Sequence, residues 1–194
     1  MLRTREGSPI IGIAGWKKSG KTTLTIRLVE EFVRRGVKVA TIKHAHHAFD
    51  VDEGDTDSAR HRRAGASQVA IVSGVRWALI TELRGAPEPP FEEIIAALDP
   101  ADLVIVEGYK SAPIAKIETR RLSSVSRTPL AETDPLVIAI ASDHPTEARG
   151  LPVFDPDDIT TIADFIEKTF GPIGRRKATG SPAASGSDPM QEHE

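Results

Sequence analysis

The stretch GWKKSGKT, residues 15–22, decides the fold class of this 194-residue chain. It matches the pattern G-x-x-x-x-G-K-[ST], whose glycines let the backbone turn its N–H groups inward around phosphates. Residues 9–14 before it form a short apolar run typical of a buried strand, and residues 22–35 after it carry apolar side chains at helical spacing. Strand, glycine-rich loop and helix in this order predict a phosphate-binding loop at the N-terminus of a helix.

The residue types of this loop predict distinct roles in holding a nucleotide with its metal ion. Lys21 supplies positive charge to the outer phosphates, and the Thr22 hydroxyl is the expected Mg²⁺ ligand. The predicted nucleotide contacts within the motif are Gly15, Lys17, Lys18, Ser19, Gly20, Lys21 and Thr22. For Lys17 and Lys18 the sequence leaves phosphate contact and plain solvation equally open.

Strand and helix patterns alternate along the rest of the chain. Predicted strands cover residues 37–43, 68–73, 76–81, 103–106, 114–118 and 136–141, and predicted helices cover 57–64, 91–98 and 157–170. Two of these strands, 103–106 and 136–141, are apolar throughout, as strands buried on both faces are. The pattern predicts an α/β fold with a mostly parallel central sheet flanked by helices, the three-layer architecture of P-loop NTPases. Residues 68–81 also allow an extra β-hairpin about Gly74.

Composition limits the classes of partner and the domain organisation. The chain has no cysteine, which excludes disulfides, thiolate zinc sites and thiol nucleophiles. A net charge of −3 gives no argument for nucleic acid, and no apolar run approaches the ~20 residues that span a bilayer. We therefore expect no nucleic-acid partner, no membrane partner and a cytoplasmic location. Residues 1–8 are predicted as an N-terminal extension, 9–170 as the nucleotide-binding domain and 171–194 as a disordered tail.

An acidic residue at the end of an apolar strand completes the predicted phosphate site. Phosphate-loop proteins place a carboxylate there, to hold Mg²⁺ through water or to orient a nucleophile. Glu107 occupies this position, where aspartate is usual, whereas Asp102 lies at the opposite end of the strand. The alternative for Glu107 is a solvated charge at a strand end.

A segment rich in histidine and aspartate, residues 43–63, follows the second predicted strand. Ligands of open parallel sheets bind beyond the C-terminal ends of the strands, so we expect this segment beside the phosphate loop. Residue types of a metal site occur at His44, His46, His47, Asp50 and Asp52. A second hypothesis is that Asp50, Asp52 and Asp57 handle Mg²⁺ or substrate, with positive charge for anionic ligands from Lys43, His44, Arg60 and Arg63. A solvated segment of mixed charge is the third.

Three stretches together resemble one family: GWKKSGKTTL at 15–24, TIKHAHHAFDVDEGDTDSARHRRAGA at 41–66 and LVIVEGYK at 103–110. In this order and spacing they are similar to the MobB family of molybdopterin-guanine dinucleotide biosynthesis adapter proteins, over roughly residues 9–165. The resemblance implies a homodimeric phosphate-loop protein that binds GTP with Mg²⁺ and is a weak GTPase at most. It also implies assistance to a MobA-type guanylyltransferase, which attaches GMP to molybdopterin, so that molybdopterin is a candidate ligand too.

The resemblance carries site residues over by position. The implied phosphate contacts are Gly15, Gly20, Lys21, Thr22 and Thr23. The implied catalytic residues are Glu107 and Asp57, and the implied metal ligands are Thr22, Asp50 and Glu107. His44, His46 and His47 would line the same cleft. One departure is the turn EGDT at 53–56, where members often carry Pro-Gly-Lys, and its negative charge disfavours a phosphate contact there.

Two other functions and the choice of base stay open on the sequence. A small-molecule kinase would use an arginine-rich lid, which RRLSSVSR at 120–127 could supply, although it could equally be a surface loop. A metallochaperone GTPase would carry a metal on the histidine cluster. The chain lacks the Asn-Lys-x-Asp pattern of many GTPases, and Asp143 either reads the base or caps a turn before Pro145.

Overall fold

The computed structural model describes residues 1–45, 49, 51, 54–126 and 128–174. Its strands are β1 (Ile10–Ala14), β2 (Val39–Lys43), β3 (Gln68–Val72), β4 (Trp77–Thr81), β5 (Leu103–Glu107), β6 (Ala115–Arg120), β7 (Val137–Ser142) and β8 (Val153–Phe154). Its helices are α1 (Lys21–Arg34), α2 (Asp57–Ala64), α3 (Phe91–Ala96) and α4 (Ile159–Phe170), with a 3₁₀ turn at Leu130–Glu132. Every predicted element is present, with ends shifted by up to two residues.

Six strands form one parallel sheet in the order β2-β5-β1-β6-β7-β8. The side chains of β1, β5 and β6 are buried along their whole length. Strands at the centre of a parallel sheet are covered on both faces, which explains the uninterrupted apolar run at 103–106. The predicted α/β class with a parallel central sheet between helices is confirmed.

Alternate residues of the central strands pack into two cores on opposite faces of the sheet. Leu103 and Ile105 face the core built with α1 and α4. Val104 and Val106 face a smaller core closed by Phe91 of α3. The period-two alternation of strand side chains therefore supplies both faces, and the helices complete the three layers.

The hairpin of β3 and β4 forms a separate antiparallel sheet, as predicted. Its turn is closed by the Ser73 N–H, which donates to the Arg76 carbonyl at 2.9 Å. Val69 is buried, but Val72 and Trp77, which pair across the strands, are 75% and 64% exposed. One apolar face of the hairpin is thus left open to solvent.

The sequence analysis did not predict strand β8. It has only two residues, Val153 and Phe154, and pairs with β7 at the edge of the sheet. A two-residue strand carries no readable alternation, so its pairing partner is needed to recognise it.

The first residues of the chain and the described residues after α4 pack against the domain. Arg3 donates to the carbonyls of Gly7 at 2.7 Å and Phe170 at 2.6 Å, which fastens the first residues to the end of α4. Ile173 is only 5% exposed and joins the larger core, so packing extends past residue 170, where the sequence predicts the tail to begin. Residues 175–194 of the predicted tail lie outside the described residues. No helix in the described part of the chain is long and apolar enough to cross a membrane.

Candidate functional site

The phosphate loop connects β1 to α1 and depends on two glycines. Gly20 precedes α1 with a φ of 92°, in the left-handed region that favours glycine. Gly15 has a φ of 154°, and a Cβ there would lie 2.8 Å from the Thr119 carbonyl oxygen. A side chain at Gly15 would therefore push the loop away from β6.

Ser19 fastens the loop to the sheet from below. Its hydroxyl lies 2.7 Å from the Thr119 hydroxyl, which in turn donates to the Ala14 carbonyl at 3.1 Å. The side chain of Ser19 is buried, and its N–H donates to the Trp16 carbonyl. The structure thus places Ser19, a predicted nucleotide contact, among the hydrogen bonds that fix the loop.

The N-terminus of α1 brings the predicted metal and phosphate ligands together with β5. The Thr22 hydroxyl donates to Glu107 Oε1 at 2.6 Å, and Lys43 Nζ lies 3.5 Å from the same oxygen. This arrangement follows from the sheet order, since β5 pairs with both β1 and β2 and Glu107 stands level with Ile13 and Lys43. Glu107 therefore faces the loop, as the sequence predicts, although its carboxylate is buried.

Lys21 bends back over its own loop. Its Nζ donates to the Trp16 carbonyl at 2.8 Å. Burial lowers the pKa of Lys21 from its ordinary value, Glu107 raises it, and the positive charges of Lys110 and Lys43 lower it further. The ammonium is thus partly desolvated and surrounded by more positive than negative charge, which favours an anion as its partner.

The oxygen atoms of Thr22 and Glu107 suit Mg²⁺ in residue type. Magnesium is commonly bound by one or two protein oxygens together with substrate phosphates and water. Among the described residues no group of three or more histidine or acidic side chains converges as a metal site. A cation bound by Thr22 and Glu107 would therefore take further ligands from the phosphates, as far as the described residues are concerned.

His44 is held by partners that the sequence analysis missed. Its Nε2 lies 3.2 Å from a Glu88 oxygen, and its ring lies 4.3 Å from the Tyr109 ring between centroids. The Tyr109 hydroxyl donates to Glu88 at 2.7 Å; burial and the Glu88 carboxylate raise the pKa of Tyr109 to about 12. Since the His44 N–H donates to the Glu107 carbonyl, this cluster borders the site. Glu88 lies in a proline-rich stretch with no periodicity, so no sequence signal pointed to it.

The other predicted residues of the histidine and aspartate segment divide into two groups. His46, His47 and Asp50 lie outside the described residues, as does Asp52. Asp57 begins α2 with its side chain 91% exposed and its carboxylate 3.6 Å from the Arg60 guanidinium. Its predicted catalytic role, like the role of Asp50 as a metal ligand, stays a prediction.

Residues 121–126 and 128 lie against the phosphate loop. The Val125 N–H donates to the Lys17 carbonyl at 3.0 Å, and the Trp16 indole donates to the Thr128 carbonyl at 2.6 Å. The side chains of Lys17 and Lys18 are exposed, so both remain free to reach a phosphate. Backbone groups of this stretch therefore attach it to the phosphate loop. The sequence alone left it open whether the stretch is a lid or a surface loop.

Asp143 follows β7 and bonds within its own turn. One of its oxygens accepts from the Leu122 N–H at 3.2 Å and lies 2.7 Å from His144 Nδ1. The hydrogen bond from His144 is the main reason that the pKa of Asp143 is lowered. These bonds favour the turn-capping interpretation of Asp143 over base reading.

A protein-family comparison gives the family. The profile described as "Molybdopterin guanine dinucleotide synthesis protein B", MobB, matches residues 10–143. This range contains the phosphate loop, the histidine and aspartate segment, and Glu107.

Curated relatives and a solved structure agree. Proteins named molybdopterin-guanine dinucleotide biosynthesis adapter protein from Haemophilus influenzae and Escherichia coli are 41% and 38% identical. The first alignment covers 82% of this chain and 88% of the relative, and the second covers 81% and 91%. A crystal structure titled molybdopterin-guanine biosynthesis protein B superposes with a TM-score of 0.63 at 28% identity, covering 82% of this chain and 99% of that one.

Proposed function

Because the chain belongs to the MobB family, whose phosphate-loop fold it shares, we propose that it is a GTP-binding accessory protein of molybdenum cofactor biosynthesis. Its role would be to assist the attachment of GMP to molybdopterin, which makes molybdopterin guanine dinucleotide, in the cytoplasm. The observation that carries nucleotide binding is the 2.6 Å hydrogen bond between Thr22 and Glu107 beside the glycine loop. It brings a hydroxyl and a carboxylate together at the N-terminus of a helix, where phosphates bind.

The proposed complex contains GTP and Mg²⁺. Backbone N–H groups at the start of α1, including those of Thr22 and Thr23, point toward the phosphates, and Lys21 exchanges the Trp16 carbonyl for an outer phosphate oxygen. The residues that would hold the metal are Thr22, through its hydroxyl, and Glu107, directly or through water. This chain supplies the binding and the charge, while the metal neutralises phosphate charge when it is bound.

Hydrolysis by this site is proposed to be slow. Glu107 already accepts a hydrogen bond from Thr22 and lies near Lys43, so its carboxylate is poised to hold a cation. Because its Oε1 is already engaged by both Thr22 and Lys43, Glu107 is poorly placed to take a proton from an attacking water. Nucleotide binding, with GTPase activity that is weak at most, suits an adapter better than a fast enzyme.

The proposed protein partner is a MobA-type guanylyltransferase, with molybdopterin as a ligand of the joint assembly. The names of the relatives support this placement, since each is called an adapter protein of molybdopterin-guanine dinucleotide biosynthesis. A direct test is co-elution of the two purified proteins with and without GTP. If the two proteins elute separately both with and without GTP, the result would argue against a GTP-dependent adapter.

A homodimer is proposed through the open face of the β3–β4 hairpin. This face presents Val72, Trp77 and Leu79 side by side, and Val75 at the turn is 89% exposed. A two-stranded hairpin is marginal on its own, and contiguous exposed apolar patches mark interaction sites. A second copy would cover this apolar face with its own.

The deciding experiment is calorimetric titration with GTP and, separately, ATP, each with Mg²⁺. Preference for GTP supports the cofactor-synthesis adapter. Preference for ATP, together with phosphate transfer to a small acceptor, would favour the kinase, for which the attachment of residues 121–126 to the phosphate loop is the supporting observation. Binding of neither nucleotide would overturn the proposal.

A further inference from the structure

Lys110 holds its ammonium against an aromatic ring rather than against a carboxylate. Its Nζ lies 3.9 Å from the centroid of the Trp16 ring. In the part of the chain that the structure describes, no acidic side chain forms an ion pair with it. A cation is attracted only modestly by an aromatic face, so this charge is available to a stronger anionic partner.

Trp16 places that charge beside the outer phosphates. Its carbonyl accepts hydrogen bonds from Lys21 Nζ at 2.8 Å and from the Ser19 N–H at 3.1 Å. Because the lysine of such a loop reaches the outer phosphates, Trp16 marks that end of the cradle. The ammonium of Lys110 over the same residue is therefore at the outer end too.

The charges around Lys21 give the phosphate loop an excess of positive charge. Lys110 and Lys43 are both close enough to lower the pKa of Lys21, and Glu107 is the acidic group that opposes them. Three ammonium groups thus face one carboxylate. A terminal phosphate brings the missing negative charge to this end of the site.

The turn after β5 gives Lys110 its direction. Gly108 has a φ of 87°, and the Lys110 N–H donates to the Gly108 carbonyl at 2.8 Å. This tight turn directs the chain from Glu107 back over the loop. The turn therefore sets the Lys110 side chain over Trp16, a residue of the phosphate loop.

We propose that Lys110 binds the terminal phosphate of a nucleoside triphosphate, leaves the Trp16 ring to do so, and makes the site prefer triphosphate to diphosphate. The inference rests on the proposed nucleotide binding and adds a residue that distinguishes the two nucleotide states. A charge-assisted hydrogen bond to phosphate is stronger than a cation–π contact at a half-exposed site, so the exchange is favourable. The state of the nucleotide is thereby transmitted to Trp16, whose indole holds the Thr128 carbonyl.

The first test measures GTP and GDP dissociation constants by calorimetry with Mg²⁺. Lys110→Met keeps the length of the side chain and removes its charge, and Lys110→Arg keeps the charge. Lys38→Met is the matched control, because it removes an exposed lysine just before β2, at the opposite end of the sheet. We expect Lys110→Met to weaken GTP binding about tenfold and GDP binding less than about twofold. The reason is that it removes one charge-assisted hydrogen bond to the terminal phosphate. Both other variants should keep the GTP/GDP ratio.

The second test uses Trp16 as a reporter. The chain has two tryptophans, so Trp77→Phe in the exposed hairpin leaves Trp16 as the source of indole emission. We expect GTP to change this emission more than GDP does, and Lys110→Met to abolish the difference.

Separate outcomes overturn the inference and the proposed function. Suppose that the unsubstituted chain binds GTP and that Lys110→Met weakens GTP and GDP binding equally, or weakens neither. The role of Lys110 is then refuted and the proposed function stands. If the unsubstituted chain binds no nucleotide, the proposed function fails and the inference with it. Should Lys110→Met not fold, as judged by circular dichroism, Lys110→Gln makes the same comparison.

Discussion

The phosphate-loop end of the central sheet and the β3–β4 hairpin differ in which side chains they bury. At the loop, the polar side chains of Ser19, Glu107 and Thr119 are buried and hydrogen-bonded. On the hairpin, the apolar side chains of Val72 and Trp77 are exposed. Burying a polar group costs free energy unless the group is hydrogen-bonded. An exposed apolar patch, in contrast, lowers its free energy when another surface covers it.

The difference matches the two kinds of binding that we propose for this chain. The backbone of the loop is arranged in advance, so the proposed nucleotide would meet N–H groups already in position. Only the side chains of Lys21, Thr22 and Lys110 would change their contacts. The hairpin offers area without charge, which suits a second protein surface. Substitutions at one region should therefore leave the other's property intact, and the following predictions test that independence from the largest effect to the smallest.

Lys21→Ala should abolish measurable binding of GTP. The variant removes the ammonium that lies over the loop, and the charge that remains cannot replace its contact with the outer phosphates. Calorimetry gives the affinity, and thermal unfolding should show a folded domain because Lys21 is not part of either core. GTP affinity equal to that of the unsubstituted chain would refute the phosphate-loop assignment, and size-exclusion chromatography should show an unchanged oligomer.

Glu107→Gln should reduce Mg²⁺-dependent hydrolysis by about tenfold or more while weakening nucleotide binding less. The amide preserves shape but loses the negative charge that faces Thr22 and Lys43. Phosphate release at saturating GTP gives turnover, and calorimetry gives binding. Identical turnover in the two forms would remove Glu107 from the mechanism.

Trp77→Glu should dissociate the proposed dimer and leave GTP affinity unchanged. The new charge lies on the open hairpin face at its turn end, beside Val72, where burial against another copy would be unfavourable. Sedimentation at several protein concentrations measures the dimer constant. Val33→Glu is the matched control, since Val33 is an exposed apolar residue of α1. If both variants stay dimeric, the contact lies elsewhere on the molecule.

Glu31→Gln should lower the free energy of unfolding at neutral pH and make it fall less as the solution is acidified. Hydrogen bonds from Arg34 and Arg35 hold the pKa of Glu31 at about 2, below its ordinary value of 4.5. The lowered pKa stabilises the fold above about pH 4.5, and this contribution is lost as pH falls towards 2. We expect Glu31→Gln to destabilise the fold by about 1–3 kcal/mol at pH 7.

Urea unfolding between pH 7 and pH 2 measures the contribution of Glu31. Glu30→Gln is the control on the same helix, because Glu30 is exposed. Parallel pH profiles for Glu31→Gln and the unsubstituted chain would show that this carboxylate does not stabilise the fold. Nucleotide affinity should be the same in both variants, which keeps the test apart from the loop.

Local pattern was enough to predict every helix and every strand except β8. The glycines, Lys21 and Thr22 fall at a fixed spacing, so the loop and the start of α1 could be found without any partner. The apolar run at 103–106 also revealed a buried strand, and Glu107 at its end was recognisable because a phosphate loop requires an acid on a neighbouring strand. These signals are short-range, and their physics lies in backbone conformation and strand burial.

Partners distant in sequence could not be predicted. Glu88 reaches His44 across 44 residues, and the Trp16 indole reaches the Thr128 carbonyl across 112. Neither contact leaves a periodic trace, because each joins two loops whose approach depends on strand order. The burial of Ile173 past the predicted domain end has the same cause, since its contacts lie in a core assembled from the whole sheet.

The sequence by itself determined the phosphate loop, the parallel α/β class, the hairpin and the family resemblance, because these depend on residue type at short spacing. Only the tertiary structure decided which charges meet. The order β2-β5-β1 sets Glu107 against Thr22 and Lys43, and the turn at Gly108 lays Lys110 over Trp16. Such pairs follow from which strand ends become neighbours, and that is fixed by the packing of the whole domain.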